Sequence, residues 1–178
     1  MKRAFIILSL ISIFTSCNEQ ETLQTYIVEK QDQPGFMSVD LPMSLIQFNT
    51  NNIPSDVKDA YKSIKKINLL GLPYLNNNEE YQNEKEAISS ILDNSNLYKK
   101  LMKMDINGIR VSVYYNGDTD NINEVIVFGY SKEIGVWIAR VLGSHMNPSK
   151  ITQMANYIKI DPKQFGLQQF KQVIDSIN

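Results

Sequence analysis

The sequence has few residues of the kinds that carry covalent or metal chemistry. It contains one cysteine and one histidine in 178 residues. A lone cysteine cannot form an intramolecular disulfide, and zinc or other transition-metal sites need several His or Cys ligands. The sequence therefore predicts no disulfide, no metal site and no cofactor.

Positive charge is also scarce. Once Lys2 and Arg3 are assigned to the N-terminal signal described below, 16 basic residues remain against 19 acidic ones, and the only arginines left are Arg110 and Arg140. Nucleic-acid binding calls for a basic stripe, and anionic lipid attracts clusters of Lys and Arg. The composition therefore excludes a nucleic-acid partner and predicts no electrostatic hold on a membrane.

Catalytic motifs are missing as well. The sequence has no Gly-x-Ser-x-Gly turn and no phosphate-binding glycine loop. His145 directly follows Ser144, and neighbours on a strand point to opposite faces, so they do not make a catalytic pair. We interpret His145 as a residue at a strand end.

The segment Asn116-Gly117-Asp118-Thr119-Asp120 has the oxygen ligands of a calcium loop. An EF-hand that begins at Asn116 would place Val127 where the bidentate glutamate belongs, so that template fails. A looser oxygen cluster of Asp118, Asp120 and Glu124 is the alternative to an ordinary solvated loop.

The N-terminus has the layout of a secretory signal peptide, with a cationic start and about ten apolar residues from Ala4 to Ile13. That run is too short to cross a bilayer, which takes roughly 20 helical residues. It ends in Phe14-Thr15-Ser16-Cys17, which resembles a lipobox, although leucine is usual where Phe14 stands. We predict a lipoprotein signal peptide over residues 1–16 and lipid attachment at Cys17; the alternative is an ordinary signal peptide with a stray cysteine.

This signal predicts where the protein resides. We expect an exported protein, lipid-anchored to a membrane of a bacterial cell envelope, the outer rather than the inner one, with its domain periplasmic or surface-exposed. Two or more acyl chains give stable anchoring, whereas one holds only marginally. A diacylglycerol group on Cys17 supplies two.

The chain behind Cys17 divides at Pro34-Gly35. Residues 17–33 are rich in Glu, Gln, Asn and Thr, which predicts a flexible tether. Residues 34–178 predict a single α+β domain, a mostly antiparallel sheet with a C-terminal four-strand meander and helices packed against it. The predicted strands lie at 36–40, 66–70, 98–104, 109–115, 124–131 and 136–144. The predicted helices lie at 42–48, at 56–64 with Ser55 as the capping residue, and at 80–93, and two more begin at Pro148 and at Phe165.

The last two predicted strands are apolar on both faces, whereas a sheet with one wet face alternates cleanly. Two explanations are open. Either the second face is covered by a terminal segment of the chain, or it is offered to a partner. The helix predicted from Phe165 has an apolar stripe suited to such cover, formed by Phe170, Val173, Ile174 and Ile177.

Several hydrophobic segments resemble the family called domain of unknown function 4252. They are Tyr98-Lys99-Lys100-Leu101-Met102, Val111-Ser112-Val113-Tyr114-Tyr115, Ile122-Asn123-Glu124-Val125-Ile126-Val127, Val141-Leu142-Gly143 and, upstream, Phe36-Met37-Ser38-Val39 and Ile67-Asn68-Leu69-Leu70. The resemblance spans about residues 34–158 and departs at Ser144-His145, where the family usually has an acidic residue. It implies a small exported lipoprotein of the kind found mainly in Bacteroidota, with no known activity and a role in envelope signalling.

Three functions are compatible with these features. The first is a non-catalytic accessory or binding module held at the envelope, with an envelope protein as partner. The second is a small carboxylate-dependent hydrolase or carbohydrate-active enzyme, which needs two facing acidic side chains about 5–10 Å apart. The third is a self-associating structural protein that uses the doubly apolar sheet as its interface.

Overall fold

The fold is an antiparallel sheet with helices on both faces. A computed structural model describes residues 22–45, 54–118 and 121–155. The α+β prediction is confirmed. In chain order the elements are α1 (Leu23–Lys30), β1 (Met37–Pro42), a 3₁₀ turn (Met43–Leu45), α2 (Ser55–Ser63), β2 (Ile64–Leu72), α3 (Asn78–Asn94), β3 (Lys99–Ile106), β4 (Ile109–Asp118), β5 (Asn121–Ser131), β6 (Gly135–Met146) and α4 (Pro148–Ala155).

The six strands lie in the order β1-β2-β6-β5-β4-β3, and every neighbouring pair is antiparallel. Strands β3 to β6 pair in chain order, as sequential hairpins do. Strand β2 then extends the same sheet beyond β6, and β1 pairs beyond β2. The predicted four-strand unit is therefore one side of a larger sheet, and α3 carries the chain across the sheet from β2 to the opposite edge.

The β3–β4 hairpin turns at the predicted Asn-Gly pair. Asn107 has φ 52° and Gly108 has φ 85°, and two positive φ values are what a two-residue hairpin turn of this twist requires. The carboxylate of Asp105 accepts a hydrogen bond from the Gly108 amide at 2.9 Å. The turn is thus stabilised by local chemistry that the sequence displays.

Helices α1 and α3 cover one face of the sheet, here called the α1/α3 face. Asn77 caps α3 by accepting from the Glu80 amide at 3.2 Å, and Thr22 caps α1 by accepting from the Thr25 amide at 3.1 Å. Capping side chains satisfy amides that have no partner within the helix. The buried side chains between these helices and the sheet are Leu23, Tyr26, Ile27, Leu70, Tyr81, Ile88, Ile91, Leu92, Tyr114, Ile126, Phe128, Val136 and Ile138.

Helix α1 overturns part of the predicted tether. Leu23, Tyr26 and Ile27 follow the i, i+3, i+4 spacing of a helix face, and Leu23 is 0% exposed. Residues 23–30 therefore belong to the folded domain, and the prediction of flexible chain is wrong for them. The domain begins before residue 34; residues 17–21 and the predicted signal peptide lie outside the described residues.

Helices α2 and α4 pack on the opposite face, here called the α2/α4 face, where Val57 and Ile151 share a buried cluster with Val125 and Val141. Helix α2 begins at Ser55, and no side-chain hydrogen bond caps it, so the predicted capping role of Ser55 is wrong. The helix predicted from Pro42 is only a 3₁₀ turn over Met43–Leu45 in the described residues. The helix predicted from Phe165 lies outside them.

Candidate functional site

Two charged side chains lie within the α1/α3 face of the central strands. Glu124 on β5 and Arg140 on β6 have the same orientation as the apolar Ile126 and Ile138, because residues two apart on a strand share a face. Glu124 is 5% exposed. The Arg140 Nε donates to the Glu124 carboxylate, which gives each buried charge the opposite charge that burial demands.

Three more polar side chains complete this cluster, here called the Glu124 network. The Asn116 amide donates to Glu124 Oε2 at 3.4 Å, and Arg140 Nη1 donates to the side-chain oxygen of Gln24 on α1. Burial and the nearby Glu124 charge raise the pKa of Tyr98 to about 12. Tyr98 is therefore protonated at neutral pH, and the network ties α1 to the sheet.

A second buried carboxylate joins α1 to α3. Glu84, 9% exposed, accepts from the Tyr26 hydroxyl at 2.6 Å and from Lys30 Nζ at 2.6 Å. Lys30 also lies 5.3 Å from the centre of the Phe36 ring, within the range of a cation–π contact. Glu84 thus joins α3 to the C-terminal half of α1.

Two half-exposed aspartates occupy further ion pairs. Asp40 accepts from Lys66 at 2.6 Å and from Asn68; Asp93 accepts from Lys100 at 2.9 Å and from the Tyr114 hydroxyl at 2.8 Å. Burial acts to raise the pKa of Asp40, but the hydrogen bonds from Lys66 and Asn68 outweigh it and the pKa is lowered. The pKa of Asp93 is lowered in the same way, by its lysine and tyrosine partners.

These arrangements decide what the carboxylates can do chemically. A general acid at neutral pH needs a raised pKa, whereas those of Asp40 and Asp93 are lowered. Glu84 and Glu124 are each neutralised by a cation within hydrogen-bond reach. Within the described ranges no group of three or more His, Cys, Asp or Glu side chains could hold a metal ion. All four carboxylates are thus engaged in ion pairs within the fold.

The comparison with protein families identifies the chain. The model of the family described as Domain of unknown function (DUF4252) matches residues 26–154, which is well over half of the sequence. The chain belongs to this family. No curated protein and no solved structure matches it.

The match to DUF4252, like the folded domain, includes residues of α1. It begins at residue 26, within α1, and ends at residue 154, within α4. The match to DUF4252 therefore includes residues 26–33 of the segment that the composition predicts to be a tether. Glu84, Glu124 and Arg140 all lie inside the matched range.

The structure of this DUF4252 domain describes three of the residues singled out by sequence, Asp118, Glu124 and His145. Cys17 and Asp120 lie outside the described residues. Asp118 is exposed at the end of β4, and Glu124 is paired with Arg140 instead of being available to a cation, so the structure gives no support to the looser oxygen cluster. His145 is exposed, with φ 54°, at the end of β6, as its interpretation as a strand-end residue expects.

The Glu124 network was not predicted, although the sequence contains a signal for it. Both Glu124 and Arg140 interrupt apolar strands at positions whose neighbours two residues away are apolar. Opposite charges at such positions on two adjacent strands predict a buried ion pair. Glu84 had no such signal, because its partners Tyr26 and Lys30 belong to a helix that was not predicted.

Within the described part of the chain, no helix is both long and apolar enough to span a membrane.

Proposed function

We propose that this chain is an exported lipoprotein, anchored through Cys17 to the membrane of a bacterial envelope, whose DUF4252 domain acts as a non-catalytic accessory or binding module. The lipobox-like segment Phe14-Thr15-Ser16-Cys17 supports the anchor. The match to the DUF4252 model supports one domain of this family over residues 26–154. Envelope signalling is the process in which we expect this module to act.

One observation carries the non-catalytic part of the proposal. In the part of the chain that the structure describes, the carboxylates of Asp40, Glu84, Asp93 and Glu124 are each paired with a cation. A carboxylate pair that hydrolyses a glycoside needs one member protonated and both free to reach the substrate. The geometry therefore favours structural roles for these four groups, and the hydrolase stays a prediction.

The anchor is tested with the variant Cys17→Ala in cells that process lipoproteins. We expect the unmodified chain in the membrane fraction and the variant in the soluble fraction, with the same far-ultraviolet circular dichroism after purification. Asn18→Ala is the matched control, since it changes the next residue and keeps the cysteine. A variant that stays with the membrane would contradict anchoring through Cys17.

The binding role is tested by crosslinking in intact cells that carry the anchored protein. We expect a defined envelope protein to be captured by the unmodified chain. A single species free of any partner under all conditions would contradict the proposal. Size-exclusion chromatography of residues 18–178 distinguishes this role from that of a self-associating structural protein. A self-associating protein elutes as an oligomer.

A further inference from the structure

Strand β3 forms an edge of the sheet that the rest of the described chain leaves open. It pairs with β4 on one side only, and none of its eight side chains is buried. At the other edge, β1 has six residues, ends in Pro42 and buries Leu41. An edge strand presents a row of backbone groups that can pair with another chain. Of the two edges, β3 is therefore the one at which a further strand can add.

The hairpin geometry determines which backbone groups of β3 point outward. Ile106 and Ile109 close a two-residue turn, and the residues that close such a turn bond to each other through their backbones. Because bonded and non-bonded pairs alternate along an antiparallel ladder, Met104 also bonds toward β4. The N–H and C=O groups of Lys103 and Asp105 therefore point away from the sheet. In the described part of the chain, no turn, loop or cap bonds to those groups.

The part of β3 that can pair regularly is short. It covers residues 102–106, between the bulge that follows Lys100 and the turn that begins at Asn107. Its side chains alternate between apolar ones on the α2/α4 face and charged ones on the α1/α3 face. In chain order they are Met102, Lys103, Met104, Asp105 and Ile106.

This stretch is complementary to an antiparallel second copy of itself. With Met104 opposite Met104 of the second copy, Lys103 lies opposite Asp105 and Met102 lies opposite Ile106, in both directions. Opposite charges and apolar pairs directly across a ladder stabilise it. The registers two residues to either side oppose Lys103 to Lys103 or Asp105 to Asp105, and like charges destabilise a ladder. The sequence of the edge thus selects one register.

The two charged side chains are available for this pairing. Lys103 and Asp105 are both exposed, and neither belongs to an ion pair within the described residues. The Asp105 carboxylate accepts one hydrogen bond, from the Gly108 amide. A carboxylate can accept several, so this bond leaves room for a lysine.

We propose that two copies of this chain pair edge to edge through β3, with the two-fold axis at Met104, and form one continuous sheet. Each copy uses the same surface, as a closed two-fold dimer requires. Both faces of the sheet keep their helices. The pair therefore leaves the faces to the proposed binding module, and it differs from association through the apolar face.

The size of the interface decides where the pair forms. One short strand from each copy is far fewer residues than the roughly 20–30 a side of a stable interface. We therefore expect a monomer at the dilution of size-exclusion chromatography and a dimer where copies are concentrated. Membrane anchoring raises the effective concentration, and this step rests on the proposed lipidation of Cys17.

The register is tested by disulfide crosslinking of the full-length chain in intact cells. Met104→Cys places a thiol at the axis, where opposed Cα atoms of a non-hydrogen-bonded pair lie about 4.5 Å apart, within the range of a disulfide. Met102→Cys is the matched control, since it is also half-buried on the same face, but its two copies would lie roughly 14 Å apart. With copper–phenanthroline as oxidant, we expect a dimer of the Met104→Cys variant and several-fold less of the Met102→Cys variant. The unmodified chain, which retains Cys17, sets the background.

Charge reversal tests the complementarity, with Met104→Cys kept as the reporter. Lys103→Asp alone and Asp105→Lys alone each oppose like charges, and we expect several-fold less dimer from either. Produced together with tags of different size, these two variants complement each other, and we expect a mixed dimer. Both substitutions in one chain should restore the dimer. Because Asp105→Lys also removes the hydrogen bond to Gly108, the mixed dimer shows that its strand remains intact.

The possible outcomes separate this pairing from the proposed anchor. A membrane-bound chain that forms no Met104→Cys dimer overturns the pairing and leaves the lipoprotein proposal standing. A dimer from a chain that carries no lipid by mass spectrometry supports the pairing and overturns the anchor. A chain with neither lipid nor dimer overturns both.

Three other results would also overturn the pairing as proposed. Equal crosslinking of the Met104→Cys and Met102→Cys variants contradicts the register. A dimer that ignores the charge reversals contradicts the complementarity. A crosslink from Met104→Cys to another envelope protein, in place of a second copy, assigns the edge to that protein.

Discussion

Gly71 lies directly beneath the only tryptophan of the chain. It is paired across the strands with Trp137, and a Cβ at Gly71 would overlap the six-membered ring of that side chain. The indole is further fixed by its Nε1, which donates to the Ile134 carbonyl at 2.6 Å. A glycine here lets a large aromatic ring lie flat on the sheet, and β-propensity alone gives no hint of it.

We expect Gly71→Ala to lower the free energy of unfolding by about 1–3 kcal/mol, the usual cost of overpacking a core. Gly129→Ala is the matched control, because its Cβ would meet neighbouring atoms only at 3.9–4.0 Å. Urea denaturation followed by Trp137 fluorescence measures both variants. Equal stability losses would show that the indole moves aside at no cost.

The raised pKa of Tyr98 predicts that the free energy of unfolding decreases at alkaline pH. Its pKa is about 12 in the folded chain because it is buried and lies near the charge of Glu124, whereas an unfolded tyrosine titrates near 10. Between these values the folded state binds more protons, so the free energy of unfolding falls as the pH rises from about 10 to 12. Allowing for partial exposure, the loss is roughly 1–2 kcal/mol.

We expect Tyr98→Phe to lose less stability than the unmodified chain over this alkaline range, measured by urea denaturation at several pH values. Tyr115→Phe, a half-buried tyrosine on the other face of the sheet, controls for the loss of a hydroxyl group. Parallel curves for Tyr98→Phe and the unmodified chain would contradict the assignment.

At the scale of elements, local chemistry explains which segments were predictable. Asn107-Gly108 specifies a hairpin by itself, and α3 combines a cap at Asn77 with an apolar stripe over 17 residues. Helix α1 has only eight residues and three buried side chains, and short helices are marginal without tertiary packing. Its stability comes from the sheet and from Glu84, which lie far away in sequence.

The packing of α1 yields a prediction at this scale. We expect Leu23→Ala to lower the free energy of unfolding by about 2–5 kcal/mol, since Leu23 is 0% exposed and its loss leaves a cavity. Val28→Ala on the same helix is the matched control, at 50% exposure, and we expect a change of less than about 0.5 kcal/mol. Equally small effects on thermal unfolding would mean that α1 does not contribute to the fold.

For the whole molecule, the strand order could not be derived from sequence, because nothing in β2 specifies β6 as its neighbour. The structure shows what that order produces on the α2/α4 face. A row of apolar side chains runs across all six strands, and several of its members are only half-buried. Its members, in spatial order, are Val39, Leu69, Ala139, Val127, Val113 and Met102.

The apolar row is about as long as the helix predicted over residues 165–178, which lies outside the described residues. Six strands spaced about 4.8 Å apart make a row about 24 Å long, and the helix predicted over residues 165–178 would be about 21 Å long. The connecting residues 156–164 reach at most about 30 Å and start where α4 packs on this face through Ile151. We therefore expect the C-terminal segment to cover the row with its apolar stripe.

The double variant Phe170→Ser, Ile174→Ser tests this cover, because it removes the centre of the stripe and leaves the chain length unchanged. We expect stronger binding of a hydrophobic dye and a shift toward dimers in size-exclusion chromatography, since the uncovered row is long enough to pair with a second copy. Gln169→Ser with Gln172→Ser alters the same segment outside the stripe and should change neither measurement. If both double variants behave like the unmodified chain, this segment does not cover the row. The apolar face is then available to the proposed envelope partner.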